Sequence, residues 1–226
     1  MAEILSGYGH ALAEAGRGEE ARKSLDEALS LARELKNDAM VSQVLNFQGD
    51  GFFWRGDFTS ARRLYDPALR AATSSKDRSK VLLSKVNLAK VTVKDGRSRE
   101  AISLLRALGQ EADTQGLRYL SIECSTYLAE ALVNTKDYPR ARQELDRAIG
   151  KAEKPGLRAL LAKDQYLLGA TFRLGGNASD APSHYREALR LLDDIRKEPG
   201  ADKAVQRADL NPIYAESTRW SQGAAP

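Results

Sequence analysis

The chain has 226 residues, of which 35 are basic and 31 acidic, giving a formal charge of +4; 42% are hydrophobic and 29% charged. The two signs alternate and form no blocks, which excludes the clustered positive charge that gathers phosphates, so no nucleic-acid partner is expected. Cys124 is the single cysteine, which excludes an internal disulfide and a multi-cysteine zinc site, and no basic leader or long apolar run marks a signal peptide or membrane helix. No membrane partner is therefore expected, and the cytoplasm is the expected location.

Small residues recur in a fixed register. Ala21, Ala61, Ala101, Ala141 and Ala181 stand 40 residues apart; Gly9, Gly49, Ala89, Ala129 and Gly169 precede them by 12, and Gly16, Gly56, Gly96, Lys136 and Gly176 by five. A fixed period of about 20 to 50 residues marks a solenoid, whose units bury their apolar faces only against neighbours. Repeats are expected over about 1–36, 37–76, 77–116, 117–156 and 157–200.

The first helix begins at the chain start, with no polar capping helix before it, so the chain is expected to be the C-terminal part of a longer protein. In the second repeat, Val41, Val44, Leu45, Gln48 and Phe52 show helical spacing and predict a helix over 38–55. Ala61, Leu64, Tyr65, Ala68 and Leu69 predict another over 58–74. Gly56-Asp57 lies between them, and a glycine past a helix end accepts the left-handed conformation that closes it. Gly49 and Ala61 are expected to face each other where the two helices cross, with Phe52 and Tyr65 beside them. The third repeat departs from the pattern, with Leu108 where the others carry Ala28, Ala68, Ala148 and Ala188.

The fifth second helix is expected to run from Ala181 to about Lys197. Residues 201–208 then read as a sixth first helix stacked on the fifth pair. Asn211-Pro212 reads as an N-cap followed by proline at the first helical position. Leu210, Ile213, Tyr214 and Trp220 are expected to pack back as a capping lid over 201–226, with 221–226 frayed. The alternative for this tail is a docking peptide that fills a neighbour's groove.

Catalytic chemistry finds no support. His10 and His184 fall in different repeats, and no phosphate loop, nucleophile turn or paired-histidine zinc helix occurs. Most carboxylates sit at helical spacing from arginine or lysine, as surface pairs do. No enzyme activity, cofactor or metal is expected.

The register resembles the tetratricopeptide repeat (TPR) family: small residue at position 8, bulky at 11, alanine at 20, bulky at 24, alanine at 27. With Ala61 at position 20, the second repeat has Leu45 at 4, Gly49 at 8, Phe52 at 11, Tyr65 at 24 and Ala68 at 27. The resemblance covers residues 2 to about 198, with two departures: 40-residue units, and Thr73 where the family has proline. Both fit the long-repeat variants of bacterial regulators and kinesin light chains. It implies an all-α fold, a right-handed α-solenoid of about five helix-turn-helix repeats in one elongated domain.

It also implies a protein or peptide partner held on the concave face by the first helices. Carried position by position, that face comprises Asn46, Phe47, Asp50, Phe53, Asn87, Lys90, Lys94, Tyr127, Glu130, Tyr166 and Arg173. For Phe53 and its neighbour Trp54, packing between first helices is the favoured alternative. Position 9 reads His10, Asp50, Lys90, Glu130 and Ala170, an alternation of charge that matches a peptide of alternating charge or a polar helix. The lysine and asparagine clamp of chaperone-binding members is missing, Asn87 being its one match, so acidic chaperone tails are disfavoured. The expected function is a protein-interaction scaffold. One alternative is the sensory or regulatory region of a larger bacterial signalling protein, a serine/threonine kinase or transcriptional activator. Another is self-association through the terminal repeats, the open start pairing head to tail with the Trp220 end.

Overall fold

A computed structural model of the chain describes residues 1–152 and 157–222. The expected junction of repeats four and five at 156, and the fraying expected beyond 222, lie outside the described residues. The described residues form α1 (Ala2–Glu14), α2 (Gly18–Glu34), α3 (Asp38–Phe53), α4 (Phe58–Ser74), α5 (Arg78–Lys94), α6 (Ser98–Thr114), α7 (Arg118–Asn134), α8 (Tyr138–Lys151), α9 (Arg158–Leu174), α10 (Ala181–Arg196) and α11 (Asn211–Trp220). A short 3-10 helix, Ala204–Gln206, precedes α11. The fold is all-α, a series of helix pairs of the kind the register predicts.

Local chemistry accounts for the boundaries. Between α3 and α4, Gly56 adopts φ +80°, and the amide of Asp57 reaches back to the carbonyl of Phe52 at 3.0 Å, closing the helix end. Lys136 occupies the equivalent left-handed position at φ 64° without the freedom of glycine. Of the second helices, α4 and α8 open on side-chain caps: Asp57 accepts from the Ser60 amide at 2.9 Å and Asp137 from the Arg140 amide. Gly49 packs against Tyr65, as the register places that ring beside it. A Cβ at residue 49 would lie 2.7 Å from Tyr65 Cδ1, and one at Gly169 would lie 2.9 Å from Tyr185 Cζ. The small residue at position 8 makes room for the ring at position 24, and Phe52 instead lies beneath Arg55, 4.4 Å from its guanidinium carbon.

The second helices α2 and α8 each offer a leucine and alanine row to the next first helix. Leu25, Ala28 and Leu29 of α2 join Val44 and Leu45 of α3 in one cluster. Ala148 of α8 does the same with Leu160 and Leu161 of α9.

Contacts divide the chain into two compact units where one elongated domain was expected. The first is Met1–Val91 with Gly200–Asp209, the second Thr92–Pro199 with the residues from Leu210 onward. In a stack of repeats each pair touches only its neighbours, so the array has no single core to hold it together.

Residues 201–208 do not form a sixth first helix. Pro199 and Gly200, at φ 78°, end the helical course, and the segment's buried apolar residues are only Ala201 and Ala204, too few for a helical stripe. The segment lies instead against the first unit, where the Ala208 amide donates to the Trp54 carbonyl at 2.8 Å. The place of a sixth first helix belongs to α11. It packs on α10 and α9, burying Leu210 and Ile213, while Tyr214 donates to Asp193 at 3.2 Å.

Candidate binding face on the first helices

In the first unit, α1 and α3 bring His10, Phe47, Asp50 and Trp54 together. The His10 ring stacks on Phe47 at 4.0 Å and tilts against Trp54 at 5.5 Å. Beyond Trp54 the stack continues with Arg207, whose guanidinium carbon lies 4.1 Å from that ring while Nη1 donates to the Glu14 carbonyl at 3.2 Å. Asp50, 7% exposed, accepts from the Tyr65 hydroxyl at 2.7 Å and faces His10 Nε2 at 3.5 Å. Burial alone would raise the Asp50 pKa, but His10, Lys90 and Tyr65 outweigh it and hold the carboxyl below its ordinary range. Burial likewise opposes charge on His10, and Asp50 overcomes it, raising the imidazole above its usual value.

Behind these side chains runs a buried polar ladder. Lys90 Nζ donates to Asn87 Oδ1 at 3.0 Å, Asn87 Nδ2 to Asn46 Oδ1 at 3.0 Å, and Asn46 Nδ2 to Ser84 Oγ at 2.9 Å. Lys90 also sits 5.1 Å above the Phe53 ring. Every member meets a partner on its own or the adjacent first helix, which is how polar groups survive burial.

The second unit uses ion pairs. Glu130 on α7 meets Lys94 at 2.5 Å and Lys163 of α9 at 2.6 Å, and Lys163 also lies 3.5 Å above the Tyr127 ring. Burial opposes the Glu130 charge, yet the two lysines dominate and bring its pKa down to about 2. Asp164, one residue on from Lys163, is fully buried and faces Thr126; burial pushes its pKa up to about 7, with Thr126 and Lys163 only partly opposing. Tyr166 donates to Glu216 of α11 at 3.0 Å. Arg173 Nε donates to the Tyr185 hydroxyl at 3.2 Å, and its guanidinium carbon lies 4.5 Å from the Trp220 ring.

The residues expected to line an open groove fall into two groups. Asn46, Asp50, Phe53, Asn87, Lys90 and Tyr127 are buried, so the expectation of direct groove contact does not describe them. Successive first helices lie close enough for their polar side chains to satisfy one another. Phe47, Lys94, Glu130, Tyr166 and Arg173 are half-buried. Three participants were not legible as such: Arg207, Glu216 and Asp164. Asp164 alone had a signal, as an acid in the column otherwise filled by Ile4, Val44, Ser84 and Cys124. Among the described residues, no group of histidine, cysteine and carboxylate side chains is placed to hold a metal. No helix of the described residues is long and apolar enough to cross a membrane.

No protein-family model matches the sequence, and neither does any curated protein. Solved structures do match. BtubC (BKLC) from P. vanneervenii superposes with a TM-score of 0.60 at 17% identity, over 94% of this chain and 94% of that one. A kinesin-light-chain-type protein of nearly identical TPR-like repeats from Podosopora anserina gives 0.56 at 13% identity, over 87% and 97%. A double mutant of MamA RS-1 gives 0.51 at 18% identity, over 85% and 95%. At these identities the likeness is one of fold, and the chain is an all-α array of TPR-like helix pairs.

Proposed function

We propose that the chain is a non-catalytic protein-interaction scaffold that holds a peptide or helix of a partner protein against its first helices. The observation that supports this most is the stack of Phe47, His10 and Trp54, half-buried and backed by the buried Asp50, Asn46 and Asn87. Rings locked by a satisfied polar layer lose little freedom on binding and serve as anchors. The partner meets Phe47 and His10 on the first helices of the first unit, while the buried residues there hold these in place.

The test is affinity capture from source-cell lysate with the parent chain and a His10→Ala, Phe47→Ala variant. A partner held by the parent and lost by the variant, whose melting temperature stays within a few degrees of the parent's, supports the reading. Equal capture by both moves the binding surface off the first helices.

A further inference from the structure

Residues 200–209 are held by the first unit as a peptide ligand would be. Glu14, which ends α1, and Trp54, which follows the end of α3, occupy the same register position in repeats one and two, and the segment bonds to both carbonyls. Arg207 Nη1 donates to the Glu14 carbonyl at 3.2 Å, and the Ala208 amide to the Trp54 carbonyl at 2.8 Å. The segment also crosses the equivalent turn glycines: a Cβ at Gly16 would lie 2.7 Å from the Lys203 carbonyl oxygen, and one at Gly56 3.5 Å from Ala208 Cβ. Both carbonyls stand at the negative, C-terminal ends of their helices, so the two turns together offer a seat for a cation, with the Trp54 ring as its apolar wall.

Arg207 fills that seat. Its guanidinium carbon lies 4.1 Å from the Trp54 ring, while Nε and Nη2 fork onto Asp209 at 3.0 and 2.7 Å. A planar guanidinium can stack, bond a carbonyl and clasp a carboxylate at once, which the point charge of a lysine cannot. The remaining grip is slight, because the buried apolar residues of the segment are Ala201 and Ala204, and its hydrogen bonds exchange readily against those of water.

We infer that this seat is a docking site for a partner segment carrying an arginine with a carboxylate two residues further on, and that residues 200–209 occupy it until such a partner displaces them. This rests on the reading that a partner lies against the first helices, and it names the side chain that the Trp54 end of that face receives. A tethered occupant competes at an effective concentration on the order of millimolar. The seat therefore favours a partner that also engages His10 and Phe47, which continue the stack from Trp54.

The experiment is fluorescence anisotropy of a labelled synthetic peptide of residues 200–209, titrated with the whole chain. Two variants loosen the resident segment. Arg207→Ala removes the guanidinium, and Ala208→Pro removes the amide that bonds to Trp54; Arg207, at φ −56° and ψ 142°, already has a conformation suited to the residue before a proline. Both variants are expected to keep the parent's helicity by circular dichroism and to bind the peptide about tenfold more tightly than the parent does. The same peptide bearing Arg207→Ala is expected to bind neither variant. Failure of both variants to bind the peptide overturns the proposal, as does equal binding by parent and variants, or equal binding of the peptide without its arginine. None of these results touches the reading of His10 and Phe47, which the capture experiment tests with Arg207 unaltered.

Discussion

Replacing glycine by alanine inside a helix normally stabilises it by about 0.5 to 1 kcal/mol. For Gly49→Ala the opposite sign is expected. The added Cβ would lie 2.7 Å from Tyr65 Cδ1 and nearer still to Cε1, and that ring is fully buried and tied to Asp50 through its hydroxyl at 2.7 Å. To restore ordinary contact the ring must shift by most of an ångström. Overpacking of this kind costs about 1 to 3 kcal/mol, and loosening a hydrogen bond to a buried carboxylate about 1.5 to 3 more. Set against the gain in helix propensity, a net loss of about 1.5 to 5.5 kcal/mol is expected. The chain contains its own relief of the clash: in repeat four Ala129 packs in one cluster with Leu145, where Gly49 faces Tyr65. A Gly49→Ala, Tyr65→Leu double variant should therefore lose less than the sum of the two single changes. Urea denaturation of the four proteins gives the coupling. A Gly49→Ala chain as stable as the parent, or strictly additive losses, would refute the reasoning.

Further outcomes can be measured on the same protein. Glu130, held at about 2 in the folded chain against 4.5 unfolded, contributes stability above pH 4.5 that is lost as pH falls toward 2. Glu130→Gln should flatten that acid limb of a stability profile. Asp164 has the opposite sign: with a folded pKa of about 7 against 3.8, its contribution is full below pH 4 and lost as pH rises to 7. The advantage of Asp164→Asn over the parent should therefore grow by a few kcal/mol across that window, and parallel profiles would contradict it. Lys136→Gly relieves a left-handed backbone at φ 64° and should stabilise by about 1 kcal/mol in denaturant titration. Arg207→Ala removes both the contact on Trp54 and the bond to the Glu14 carbonyl, so hydrogen exchange should quicken at the Ala208 amide and leave α7 unchanged.

Helix boundaries are plain in the sequence because they depend on local chemistry. The spacing of Ala61, Leu64, Tyr65 and Ala68 places a helix over 58–74, and α4 is Phe58–Ser74. Residues 201–208 have no such stripe; their course depends on Trp54 and Glu14, about 150 residues or more away in the chain, and local pattern does not report such contacts. The register likewise places Asn46, Asn87 and Lys90 on first helices, but the spacing of adjacent helices decides whether they face solvent or one another. Polar identity alone favours exposure, and here it is overridden by hydrogen bonds between neighbours.

The measurement that tests the scaffold reading most directly is site-specific photo-crosslinking of the captured partner, with a benzophenone side chain at Phe47 in one protein and at Leu104, exposed on α6, in another. The account predicts a covalent adduct from position 47 and none from 104. An adduct from 104 alone would place the partner on the second helices and contradict it.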